Sequence, residues 1–114
     1  MAAVYVSNIV INAGTDFSQI FSLENSTSSS NLNLSNYSMS AQMRKHSGSS
    51  SAVVFAASIF DPNAGNVSIS LGSTITSTLK PGRYVYDVII TDNVTNIKTR
   101  VVEGMALVRE GVTR

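Results

Sequence analysis

LKPGRYVYDV, residues Leu79 to Val88, continued by IITD to Asp92, is the stretch that decides the fold class. Pro81 and Gly82 suit a turn, because the proline ring presets φ and glycine accepts backbone angles that other residues avoid. Beyond the turn, Tyr84, Tyr86, Val88 and Ile90 fall on one side of an extended run, and Arg83, Val85, Asp87 and Ile89 on the other. Side chains alternate between faces along a strand, so the run predicts a strand of a packed sheet whose Tyr84–Ile90 face is central core.

The same signature recurs on both sides. Val4 to Ile11 is apolar and β-branched and is stopped by Asn12-Ala13-Gly14. Phe17, Gln19, Phe21 and Leu23 alternate in a second run. Tyr37, Met39, Ala41 and Met43 alternate with Ser38, Ser40, Gln42 and Arg44, the pattern of a half-buried strand. Val53, Phe55, Ala57 and Ile59 form another, with Val54 and Phe60 predicting partial cover on its second face. Asp61-Pro62-Asn63-Ala64-Gly65 has hairpin-turn chemistry, and Val67, Ile69 and Leu71 alternate on the return.

Gly72 to Leu79 suits either a strand or one helical turn with Ile75 and Leu79 on one side. After a turn at Asp92-Asn93, Ile97, Thr99 and Val101 alternate with Lys98, Arg100 and Val102, and Met105, Leu107 and Arg109 form a last strand beyond Gly104. Ser26–Asn31 and His46–Ser51 are polar and predict loops. No segment holds a helical apolar period. About eight short, mostly antiparallel strands predict an all-β immunoglobulin-like sandwich in a single domain, residues 1–114, with a closed barrel as the rival.

Composition narrows the function classes. Charged residues are only 13% of the chain and the formal net charge is +1, so there is no basic stripe for nucleic acid. The 43% apolar content with so little charge predicts a neutral surface that neighbouring subunits cover, in a homo-oligomer or symmetric assembly. There is no cysteine, which removes disulfides, thiolate catalysis and Cys-ligated zinc. MAAVYVSNIVINAG has neither the charged start of a signal peptide nor a membrane-spanning apolar run, so the expected site of synthesis and folding is a cytoplasm, with no membrane partner. The sequons at Asn25, Asn33, Asn36, Asn66 and Asn93 follow from the abundance of Asn, Ser and Thr rather than from secretion.

Groups able to do chemistry are sparse. His46 is the one histidine, beside Arg44 and Lys45 in a Ser/Gly loop, without a positioned nucleophile. Asp61, Asn63 and Gly65 loosely match a calcium loop but lack its further acidic ligands, and Pro62 suits a turn. Asp87 and Glu103 are the acidic residues inside strand runs. They could face each other, yet Arg44 and Arg100 also lie in strands and predict ion pairing on a sheet face. Tyr5 and Tyr37 are the best candidates for a sugar-stacking platform. No catalytic, cofactor-binding or metal-binding residue is assigned, and the chain is not expected to be an enzyme.

The Leu79–Tyr84 segment resembles the Leu-x-Pro-Gly…Tyr turn of fibronectin type III and immunoglobulin-like domains, in which a tyrosine closes a corner at the start of a strand. A second resemblance covers most of the chain. INAGTDFSQIFSLEN (Ile11–Asn25), LSNYSMSAQMRK (Leu34–Lys45), a hairpin near Gly65, LKPGRYVYDVIITD (Leu79–Asp92) and VVEGMALVREGVTR (Val101–Arg114) follow one another as in small tailed-bacteriophage virion proteins. The order is similar to that of the immunoglobulin-like N-terminal modules of phage baseplate and tail-fibre-associated proteins. That resemblance implies a non-catalytic scaffolding or attachment role, with other virion proteins as partners and the virion as location. Because the sequence stops soon after the match, a stand-alone tail or baseplate adaptor, joint or decoration subunit is the expectation. Capsid decoration and carbohydrate binding are the alternatives. Terminal strands Val4–Ile11 and Met105–Arg109 are expected at sheet edges, where they could pair with a neighbour.

Overall fold

A computed structural model describes residues 5–23, 34–46, 48–62 and 65–112. It contains β1 (Tyr5–Val6), β2 (Ile9–Asn12), β3 (Phe17–Ser22), β4 (Tyr37–Arg44), β5 (Val53–Val54), β6 (Ala56–Asp61), β7 (Asn66–Leu71), the single turn of helix α1 (Ser73–Thr76), β8 (Gly82–Asp92) and β9 (Lys98–Arg109). These form two sheets. The larger has the order β1-β9-β8-β4-β5, with β2 also on β9, and the smaller the order β3-β7-β6. The rival barrel is thereby set aside. The central strands and their neighbours follow the immunoglobulin arrangement, a sheet built round the β4, β8 and β9 strands facing one built round β3, β6 and β7. Pairing is antiparallel except that β1 and β2 run parallel to β9.

The alternation read from the sequence sets the core. Met43, Tyr86, Val88 and Ile90 from the larger sheet meet Phe21, Val67, Ile69 and Leu71 from the smaller, all buried. The Phe55 ring joins the layers, lying 6.1 Å from Phe17 and 6.2 Å, edge to face, from Tyr86. The tyrosine corner is present: the Tyr84 hydroxyl donates a 2.8 Å hydrogen bond to the Lys80 carbonyl and so fixes the turn that launches β8.

Several expectations are corrected. The Val53–Phe60 run is not one strand. The chain leaves the larger sheet after β5 and enters the smaller as β6, with Phe55 buried at the crossing, and Val54 and Phe60 are exposed rather than covered. The first run is likewise divided at Ser7-Asn8, while Val4 lies outside the described residues. Gly104 does not end a strand, since β9 continues through it for 12 residues. Its register against β8 shifts between Val88 and Ile89, so Val101 and Val102 are both buried although adjacent. Most consequentially, β9 lies between β8 and the β1/β2 pair, so Met105–Arg109 is interior to the sheet and not an edge.

Gly72–Leu79 forms the helical turn, but its buried residue is Thr76, and Ile75 is exposed. The Thr76 hydroxyl donates to the Thr15 carbonyl at 2.7 Å and accepts from the Gly14 N–H at 3.1 Å, which ties α1 to the β2–β3 turn. The hairpin expected at Asp61–Gly65 joins β6 to β7, with Gly65 at φ 72°; Asn63 and Ala64 lie outside the described residues, as does all of the expected Ser26–Asn31 loop. His46–Ser51 is free of strand at the positions described.

Candidate functional site

The register of the larger sheet arranges its outward side chains in rows. One row crosses it from edge to edge: Val6 on β1, Glu103 on β9, Asp87 on β8, Gln42 on β4 and Val54 on β5. Asp87 and Glu103 are therefore direct cross-strand neighbours, as their positions in the sequence suggested. The cation between them is Arg100, whose Nε lies 3.3 Å from Asp87 Oδ2 and whose second nitrogen lies 3.6 Å from Glu103 Oε2. Like charges opposite each other would weaken the pair, and the shared guanidinium offsets that repulsion. Arg44 instead donates to Gln42 Oε1 and to the Ser49 carbonyl.

The next rows are apolar. Val85 pairs with Met105, and Leu107 pairs on its other side with Val10; all four side chains are exposed, from 38% for Val85 to 48% for Val10. An aliphatic strip thus crosses β8, β9 and β2 on the solvent side, while Val6, 77% exposed, borders it on β1. Arg83 and Arg109 flank the strip, both exposed and without an ion pair among the described residues. An open concavity along this face is lined by Val6, Gln42, Asp87, Arg100, Glu103 and Gly104, among others.

This face is shaped by the break between β1 and β2. Gly104 sits beneath that break, where a Cβ would come within 2.1 Å of the Ser7 carbonyl oxygen. Ser7 donates its N–H to the Glu103 carbonyl at 2.9 Å, and Asn8 Oδ1 accepts the Met105 N–H at 3.0 Å, replacing backbone ladder bonds where the strand kinks. The Tyr86 hydroxyl donates to the Ser7 carbonyl from inside the sandwich at 2.6 Å, and burial raises its pKa.

Beyond the Asp87–Glu103 pair, the chemistry-bearing residues singled out in the sequence are not brought together among the described residues. His46 is exposed in the β4–β5 connection. Asp16 accepts the Ser73 N–H at the start of α1, and Asp92 accepts the Val94 N–H within the β8–β9 turn. No group of three or more His, Cys, Asp or Glu side chains suited to a metal occurs among the described residues. Tyr37 is half-buried and packs against the core, so it does not provide the exposed stacking platform; the side chain of Tyr5 lies outside the description. No helix among the described residues is long and apolar enough to cross a membrane. The exposure of Met105 and Leu107 was missed in the sequence, because their phase depends on the register shift at Val101.

No protein-family model and no curated protein matches the chain. Among solved structures, InlP of Listeria monocytogenes aligns over 90% of this chain with a TM-score of 0.50 and 13% identity, and the chain spans 26% of that protein. The natural killer cell receptor NKp44 aligns over 93% of this chain and 98% of its own, with a TM-score of 0.47 and 14% identity. At these identities the likeness concerns the fold alone.

Proposed function

We propose that this chain is a non-enzymatic structural subunit of a tailed-bacteriophage virion, a tail or baseplate adaptor or joint assembled in the host cytoplasm and working through protein–protein contacts. The observation that supports a contact role is the outward face of the larger sheet, where Val6, Val10, Val85, Met105 and Leu107 are exposed together and Arg100 pairs with both strand carboxylates. Covering the aliphatic strip with another protein removes its exposed apolar area from water. The virion assignment rests on the ordered motifs from Ile11 to Arg114. The β1/β2 edge offers backbone groups for strand addition beside the same face.

The test is quantitative mass spectrometry of purified particles after separation of heads from tails, with cross-linking to identify neighbours. The chain is expected in the tail fraction. Its absence from particles would overturn the virion role, and recovery with the heads at capsid-like copy number would transfer it to capsid decoration. Particles carrying His46→Ala should remain infectious; loss of infectivity with normal assembly would point to a chemical site around His46.

A further inference from the structure

Cations gather where the end of β4 meets the start of β8. Arg44 closes β4 and Lys45 follows it, while Lys80 precedes the Pro81-Gly82 turn and Arg83 follows it. The two stretches of chain that carry them supply no counter-charge: no aspartate or glutamate occurs from Asn25 to Phe60 or from Pro62 to Tyr86. Arg44, Lys45 and Lys80 line one recess of about 210 Å³, together with Tyr84, Ser49 and Ser51. No carboxylate lines it, and none of the three cations has an ion pair among the described residues.

Two of these cations are held in place by uncharged neighbours. Lys45 Nζ lies 4.8 Å from the centre of the Tyr84 ring, and the bond from the Tyr84 hydroxyl to the Lys80 carbonyl fixes that ring. The same ammonium reaches the Gly82 backbone, where a Cβ would lie 2.7 Å from it; the φ of 142° at this position also favours glycine. The Arg44 guanidinium donates to the Ser49 carbonyl and to Gln42 Oε1. Each contact orients a positive charge and none cancels it. Holding like charges round one recess costs free energy through their repulsion, and an anion between them reverses the sign of that term.

We propose that this recess binds a phosphate group, either the free ion or a monoester. A monoester carries about −1.5 to −2 charge at pH 7 and presents three acceptor oxygens, enough to engage three cations at once. A carboxylate brings a single charge and two oxygens. Arg44 keeps guanidinium N–H groups beyond the two already used, and Lys45 and Lys80 each carry an ammonium with three donors. The site is independent of the virion assignment, since it is tested on the isolated chain.

The experiment is a titration of the full chain followed by amide NMR shifts, with inorganic phosphate and glycerol 3-phosphate as probes and sodium acetate at the same ionic strength as control. With the phosphate probes, wild-type shifts should saturate and concentrate in residues 44–52 and 78–84. Lys45→Gln and Lys80→Gln, at exposed positions, should keep the wild-type circular dichroism and each weaken binding about tenfold, the loss of one charge-assisted contact. Lys98→Gln, at the opposite end of the β8–β9 pair, should bind as wild type. Tighter binding of the ester would identify a phosphorylated alcohol as the source of the group, and tighter binding of inorganic phosphate the free ion. Shifts that do not saturate with either probe, acetate binding as tightly as phosphate, or Lys98→Gln weakening binding as much as Lys45→Gln would each overturn the proposal.

Discussion

The phenol of Tyr86 donates a 2.6 Å hydrogen bond to the carbonyl of Ser7, a residue 79 positions earlier in the chain, and so secures the kinked first strand from within the core. Because the ring is buried and packed edge to face on Phe55, Tyr86→Ala is expected to cost about 3–5 kcal/mol. Tyr86→Phe keeps the ring and should cost about 1 kcal/mol through the unpaired carbonyl. Urea denaturation of both variants measures the two terms.

Burial raises the Tyr86 pKa above its ordinary 10.0. The folded chain therefore holds this proton more tightly than the unfolded one. The resulting stabilisation is complete below the unfolded pKa of about 10 and is lost as pH rises through the folded value. Denaturation midpoints in alkaline buffer should fall more steeply for wild type than for Tyr86→Phe; parallel curves would assign the alkaline loss to other groups.

Gly104→Ala places a methyl group within 2.1 Å of the Ser7 carbonyl oxygen, a backbone atom that cannot rotate away. The variant should lose at least about 1–3 kcal/mol, the range for overpacking. Hydrogen exchange at the Ser7 amide, which donates to Glu103, should accelerate more than exchange at the centre of β7.

The Thr76 hydroxyl is completely buried and bridges the Gly14 N–H and the Thr15 carbonyl. Thr76→Val should therefore cost about 1–3 kcal/mol, leaving two backbone groups without their partner, while Thr76→Ser should recover much of the loss. Equal stability of all three forms would show that water replaces the hydroxyl.

Proline at residue 107 should be far more damaging than at residue 6. Leu107 pairs with Val10 on one side and Arg83 on the other, inside the sheet, whereas Val6 is on the edge strand. Circular dichroism should show Leu107→Pro largely unfolded and Val6→Pro folded.

What the sequence disclosed depended on whether a signal was local. The Tyr84–Ile90 face, the Tyr84 corner and the pairing of Asp87 with Glu103 around Arg100 were legible, because strand alternation and turn chemistry act over a few residues. The change of sheet at Phe55 was hidden, since Val53 to Phe60 is apolar throughout and alternation cannot show which sheet a residue joins. The shift at Val101 was hidden for a similar reason: Val101 and Val102 are both valine, so neither reveals a change of phase. Without that phase, the exposure of Met105 and Leu107, and with it most of the candidate interaction face, could not be read. The placement of β9 inside the sheet follows from its parallel pairing with β1 and β2, a contact between distant parts of the chain that no local pattern encodes.

That parallel pairing also determines how the fold carries load. Tyr5 is in register with Val102 and Asn12 with Arg109, so the first and last strands point the same way. Tension applied before Tyr5 and beyond Arg109 pulls them past each other lengthwise. The bonds linking β1 and β2 to β9 then resist together instead of opening one at a time. Gly104, by letting Ser7 approach closely enough to bond Glu103 and Tyr86, keeps that seam continuous across the kink. Parallel terminal strands pulled from opposite ends are loaded in shear, and this sandwich has that geometry.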